Sequence, residues 1–130
     1  MRYTMPIKVY ERVDSYTPGD DVVEDWESVT EDDGREIYYC AWTETYGAAK
    51  VSAMNDGIMD SATITMPYAP NLYKALAEKP VIISKAAAEI VKDGEVDPTS
   101  PDAYELYTGV ENVNETNRKL RCVVRRYRDR

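Results

Sequence analysis

Ala62-Thr63-Ile64-Thr65-Met66-Pro67-Tyr68 is the stretch whose reading decides the fold class. Ala62, Ile64 and Met66 alternate with Thr63 and Thr65, so a period of two sends the apolar groups to one face and the hydroxyls to the other. That pattern marks a half-buried strand, and its β-branched residues suit a pleated surface. Pro67 and Pro70 then force an extended exit, because proline disfavours helix in the residue before it.

The same rhythm recurs on both sides of this stretch. Towards the N-terminus, Ile37–Thr43 carries Tyr38, Tyr39, Cys40 and Trp42, and Val22–Val29 is a short charged strand centred on Trp26. Met5–Val13 alternates Ile7, Val9, Glu11 and Val13 with Lys8, Tyr10 and Arg12. Turns fall at Thr17-Pro18-Gly19-Asp20 and at Glu31-Asp32-Asp33-Gly34. Tyr46–Asp60, rich in Ala and Met, breaks the rhythm and reads either as a long loop or as a turn of helix over Ala48–Met54.

Towards the C-terminus, Asn71 is placed to cap a short helix over Leu72–Glu78, ended by Pro80. Val81–Ser84 is a compact apolar run and reads as a buried strand. Ala86–Val91 suits strand or helix equally, and Gly94–Pro101 is turn-rich. Tyr104–Val110 alternates, Asn112–Asn117 is polar and turn-forming, and Leu120–Tyr127 sets Leu120, Cys122 and Val124 against Arg121, Val123 and Arg125. The pattern predicts one mainly β domain over residues 1–130: a small β-barrel or sandwich of six to seven strands, with long loops and room for one short helix.

Composition narrows the function. The net charge of −8 is unevenly spread. Residues 1–117 hold nine basic and 23 acidic side chains, a net of −14; residues 118–130 hold seven basic and one acidic, a net of +6. An acidic body argues against general duplex binding, which depends on Lys and Arg neutralising phosphates. The same polarity suits contact with a neighbour of opposite charge. The chain has no histidine, so neither a Ser–His nor a Cys–His nucleophile pair can be built. Cys40 and Cys122 fall in apolar runs and read as buried small hydrophobes. Asp20, Asp21, Glu24 and Asp25 lack the Gly and terminal Glu of a calcium loop. The expectation is a non-enzyme with no catalytic residues, cofactor or metal. No apolar run has the length of a membrane span and no leader-like segment is present, so a soluble protein is expected. Eleven tyrosines with no phenylalanine point to contact surfaces, where a large ring with a polar end is favoured.

Three segments, in order, resemble the head–tail connector (head-closure, or head–tail adaptor) family of tailed bacteriophages. They are Ala41–Gly47 (AWTETYG), Asp60–Pro70 (DSATITMPYAP) and Tyr104–Arg126 (YELYTGVENVNETNRKLRCVVRR). The resemblance covers roughly the last 90 residues, counting from Ile37. It implies a structural virion protein in the neck, assembled in the host cytoplasm. Copies would form a ring, usually a dodecamer, that closes the DNA-filled head and offers the tail its docking surface. Implied partners are the portal or adaptor protein and the tail terminator or other tail proteins; packaged DNA would pass through the lumen without specific binding. The candidate interface is Tyr46, Met54, Met59, Tyr68 and Tyr73 in the loops, with Arg121, Arg125 and Arg126 on the closing strand. The start of the chain and the long Ala86–Pro101 region depart from the family layout, which leaves the tail terminator or another neck ring as an alternative. Two readings from other classes are a free β-barrel module for a peptide or small ligand, and a small hydrolase using paired acids.

Overall fold

The computed structural model describes residues 2–16, 22–44, 61–92, 95–97 and 100–127. In chain order its elements begin with β1 (Met5–Tyr16), β2 (Val22–Ser28), β3 (Ile37–Glu44) and β4 (Ser61–Pro67). A helix, α1 (Pro70–Glu78), precedes β5 (Val81–Lys85), β6 (Val91–Lys92) and β7 (Glu95–Val96). Then come β8 (Ala103–Leu106), β9 (Glu111–Asn112), a 3-10 turn over Val113–Glu115 and β10 (Lys119–Arg126).

Six of these strands close into an antiparallel barrel in the order β1-β3-β4-β10-β8-β5, with β5 returning to β1. The register follows the alternation in the sequence: Cys122 lies opposite Ile64, Ile64 opposite Trp42, Ile83 opposite Tyr104 and Val9 opposite Ile83. Strand β1 is long enough to serve three partners. Its first residues pair with β3, its middle with β5, and Tyr10–Tyr16 with β2 outside the barrel. The expected small barrel with one short helix is the fold observed.

Inward positions carry the main core: Ile7, Val9, Ile64, Ile83, Leu120 and Val124 are fully buried. Each large aliphatic side chain withdrawn from water stabilises the fold by about 1.5–3 kcal/mol. Helix α1 adds Leu72, Ala75 and Leu76 to the same core. It packs at the end of the barrel where β4 finishes and β5 begins, and so closes that end.

A second, smaller core lies outside the barrel wall. Tyr10, Ile82 and Ala103 alternate with the inward Val9, Ile83 and Tyr104, so they face out; Ile90 and Trp26 cover them. The cover is an arm running from Ala86 through the β6–β7 hairpin. This explains why Val81–Ser84 is apolar without a break: β5 is buried on both faces, by barrel and by arm.

Several expectations are corrected. Asn71 is not the N-cap of α1: the cap position is Ala69, Pro70 takes the first helical position, and no capping side chain comes from the cap residue itself. Proline is suited to that first position, where no N–H partner is needed. Ala86–Val91 is neither a full strand nor a helix; it opens with a tight turn in which Ala86 and Ala87 both take positive φ (58° and 52°). The strand expected over Tyr104–Val110 ends at Leu106, because beyond it the N–H groups of Tyr107 and Thr108 both turn to the Val123 carbonyl. The turn expected over Asn112–Asn117 begins as the short strand β9 before the 3-10 turn. The Tyr46–Asp60 segment lies outside the described residues.

Candidate functional site: two unlike outer walls

The outer faces of the barrel differ in chemistry because the arm covers only one side. In the strand order, β4 lies across the barrel from β5 and β3 across from β8. The arm covers outward residues of β5, β8 and β1, whereas the β3–β4–β10 wall has no layer over it among the described residues.

On that open wall, Ile37 is 38% exposed and Tyr39 54% exposed, and both are outward residues of β3. Tyr39 sits opposite Pro6 on β1, and Pro67 ends β4 in the exposed state beside Lys119. Further across, the outward residues of β10 are Lys119, Arg121, Val123 and Arg125. Arg121 Nη1 lies 3.8 Å from Glu111 Oε2, and Arg125 Nε donates to Glu105 Oε1 at 2.9 Å while its guanidinium sits 5.5 Å from the Tyr107 ring. Exposed pairs of this kind contribute about 0–1 kcal/mol each. The wall is therefore an apolar patch edged by Lys119 and by arginines that lie beside Glu111 and Glu105.

The arm presents the opposite character. Glu89, Glu95 and Asp97 are exposed on it, with Lys92 among them. A cleft of about 570 Å³ opens there, lined by these groups and by Ile90, Val91 and Val96. Lys8 Nζ lies 3.8 Å from Glu89 Oε1.

At the barrel end away from α1, Trp42 and Tyr104 meet edge to face, with centroids 4.9 Å apart and planes at 77°. Lys85 Nζ lies 5.1 Å from the Trp42 ring centre and 3.6 Å from Glu44. The Trp42 Nε1 donor is buried and makes no hydrogen bond. Cys40 and Cys122 are free and buried, and burial pushes both thiols up to about 12, with the nearby Cys40 adding to the effect on Cys122. Both therefore stay protonated at neutral pH, which leaves them poor nucleophiles. Among the described residues no group of three or more Cys, Asp or Glu side chains is arranged to hold a metal ion, and no helix is long and apolar enough to cross a membrane.

The residues expected to form an interface fall in separate places. Tyr46, Met54 and Met59 lie outside the described residues. Tyr68 and Tyr73 do meet, ring centres 5.7 Å apart, but at the α1 end of the barrel, half-buried against the main core. Arg121 and Arg125 share the outer face of β10. Arg126 follows the parity of Val124 and so falls on the barrel's inner side, across from Tyr104. Ile37, Tyr39 and Lys119, exposed on this wall, were not among the residues expected at an interface. A signal was present: Ile37–Trp42 is apolar at both parities, and a strand apolar on both faces calls for a cover on each.

No family model matches the sequence, and neither the curated proteins nor the solved structures give a match.

Proposed function

We propose that this chain is a structural virion protein that forms a ring at the head–tail interface of a tailed phage, closing the DNA-filled head and giving the tail a docking surface. The observation that carries the reading is the pair of unlike outer walls on a closed barrel, one apolar and basic, the other acidic and cleft. A ring needs heterologous contacts, in which one face of a subunit meets a different face of the next. The order of the three sequence segments that resemble the connector family supports the same reading. The acidic excess through residue 117 gives a lumen that repels phosphate, so DNA passes without adhering. Its partners in this reading are further copies of itself, the portal or adaptor above and the tail proteins below.

Electron microscopy of the purified protein mixed with DNA-filled, portal-containing heads of its phage tests the proposal. The expected result is a ring of added density beneath the portal, with DNA retained in the head. Heads that gain no density and lose DNA as before would overturn it. The 570 Å³ cleft on the arm favours one other reading, a free module for a peptide, which predicts a stable monomer that binds peptide and ignores heads.

A further inference from the structure

The two walls are different faces of one barrel, one on β3, β4 and β10 and the other under the arm on β5, β8 and β1. The β3–β4 wall exposes Ile37 and Tyr39, both on β3, with Tyr39 more than half exposed. Exposed aromatic anchors of this sort, rimmed by charge, are the usual centres of protein contacts. The rim beside Pro67 carries Lys119 and Arg121, the latter 3.8 Å from Glu111. The arm offers a cleft lined by Ile90, Val91 and Val96 and edged by Glu89, Glu95 and Asp97, an acidic excess with Lys92 among them.

We propose that the β3–β4 wall of one subunit, centred on Tyr39 and edged by Lys119 and Arg121, seats in the acidic cleft of the arm on a second copy of this chain. Three features select a second copy as the occupant. The knob is apolar and the cleft floor is apolar. The margins carry opposite charge, which steers encounter and fixes register. The two surfaces are also distinct, the first on β3 and β4 and the second on the arm over β5, β8 and β1, so one docking step leaves a free wall and a free cleft for the next. Repetition then closes a ring or, with a different rotation, extends a filament. The inference deepens the ring reading and rests on it for the closed form. It assigns the subunit contact to the strand wall and the arm, where the sequence had pointed to the loops and the basic closing strand.

Engineered disulfides test the contact directly, because Cys40 and Cys122 are buried and will not compete. The double variant Tyr39→Cys/Val96→Cys, oxidised at high protein concentration and again on portal-containing heads, should give a ladder of linked dimers, trimers and higher species. A mixture of the two single variants should stop at dimers, and neither single variant alone should cross-link. Cross-linking of Tyr39→Cys by itself would reveal a symmetric contact through one wall and overturn the proposal, as would a double variant that stays unlinked. Arg121→Glu should weaken association about tenfold, and Glu95→Lys in the same chain should restore it; no recovery overturns the pairing of those margins. Microscopy on the same heads separates the two ideas. Rings without a ladder sink this contact and leave the ring reading standing. A ladder from protein that adds nothing to heads sinks the neck role and leaves the contact standing.

Discussion

Replacing Glu31 should destabilise the whole fold, although the residue sits in a surface turn. Its carboxylate is only 8% exposed and accepts three hydrogen bonds. The Tyr38 hydroxyl donates to Oε2 at 2.7 Å, the Leu72 N–H to Oε2 at 3.1 Å and the Asn71 N–H to Oε1 at 3.3 Å. Glu31 thus caps α1 from a distance of 40 residues, supplying the oxygen that Ala69 lacks, and its negative charge lies at the positive end of the helix. Asn71 reinforces the joint by donating from Nδ2 to the Thr30 carbonyl and to Asp32 Oδ1. In Glu31→Ala, three donors lose their acceptor. A buried orphan donor costs about 1–3 kcal/mol. The Tyr38 hydroxyl keeps a long contact to the Val29 carbonyl at 3.5 Å, and Asn71 is accessible enough for water to repair its N–H. The expected total is therefore about 3 kcal/mol, a large share of the ~5–15 kcal/mol available to a domain. Glu31→Gln keeps one oxygen and should cost about half as much. Urea unfolding followed by far-UV circular dichroism reads this as a lower midpoint at unchanged slope. The coupling is the sharper test. Tyr38→Phe should cost less in the Glu31→Ala background than in the parent, since the hydroxyl is then already orphaned. Glu31→Ala within about 0.5 kcal/mol of the parent, or strict additivity of the two changes, would refute the capping argument.

Three further outcomes are expected. The turn closed by Ala88 N–H on the Lys85 carbonyl at 3.3 Å holds two alanines at positive φ, so Ala87→Gly should stabilise by about 1 kcal/mol, read as a higher urea midpoint; a loss of stability would show the turn is not in this form. Tyr38 is held above its ordinary 10.0 by burial first, then by the hydrogen bond to and charge of Glu31, and the two thiols rise from 9.0 to about 12 by burial. Because the folded state keeps these protons longer than the unfolded chain does, the stability linked to them is complete below pH 9 and is lost as pH climbs from 9 towards 12. Stability measured across that range should fall, and Tyr38→Phe or Cys122→Ala should each flatten the decline. Finally, Ile90→Ala removes the fully buried anchor of the second core at a cost of about 2–4 kcal/mol. Limited proteolysis should then cut within the arm first, with the barrel strands still protected; simultaneous loss of both would mean arm and barrel unfold as one unit.

The strands were legible because each barrel position repeats with period two. Ile7 and Val9, Ile64 and Met66, and Leu120, Cys122 and Val124 all face inward as their spacing requires. Pro67 and Pro80 bounded α1 on either side for reasons of local backbone geometry. The long-range features were not legible. Nothing within a few residues of Ala69 reveals that a carboxylate far upstream in the chain completes its helix. Ala86 and Ala87 give no turn signal, since alanine is a poor choice for positive φ; the turn is imposed by packing of Ile90 over Tyr10 and Ile82. As for the site, the sequence marked Arg121 and Arg125 correctly as an outer stripe by their parity against buried neighbours. It put the tyrosines of interest at 46, 68 and 73, of which the last two pack half-buried against the main core, whereas the exposure of Tyr39 depends on which side of the barrel the arm covers.

The place of β10 in the barrel has a consequence for synthesis. It lies between β4 and β8, so the five barrel strands made before it form an open sheet, β4-β3-β1-β5-β8, with a bare edge at each end. A nascent chain must therefore wait until the ribosome has passed Arg126 before those two edges can be sealed. Through that interval each edge is a template on which a neighbouring nascent chain can pair, the ordinary route to aggregation. The strand that finally enters carries Lys119, Arg121 and Arg125 at alternate positions. Two such strands from different polysomes repel each other when laid side by side, so the one segment able to finish the barrel is also poorly suited to zip onto its own kind.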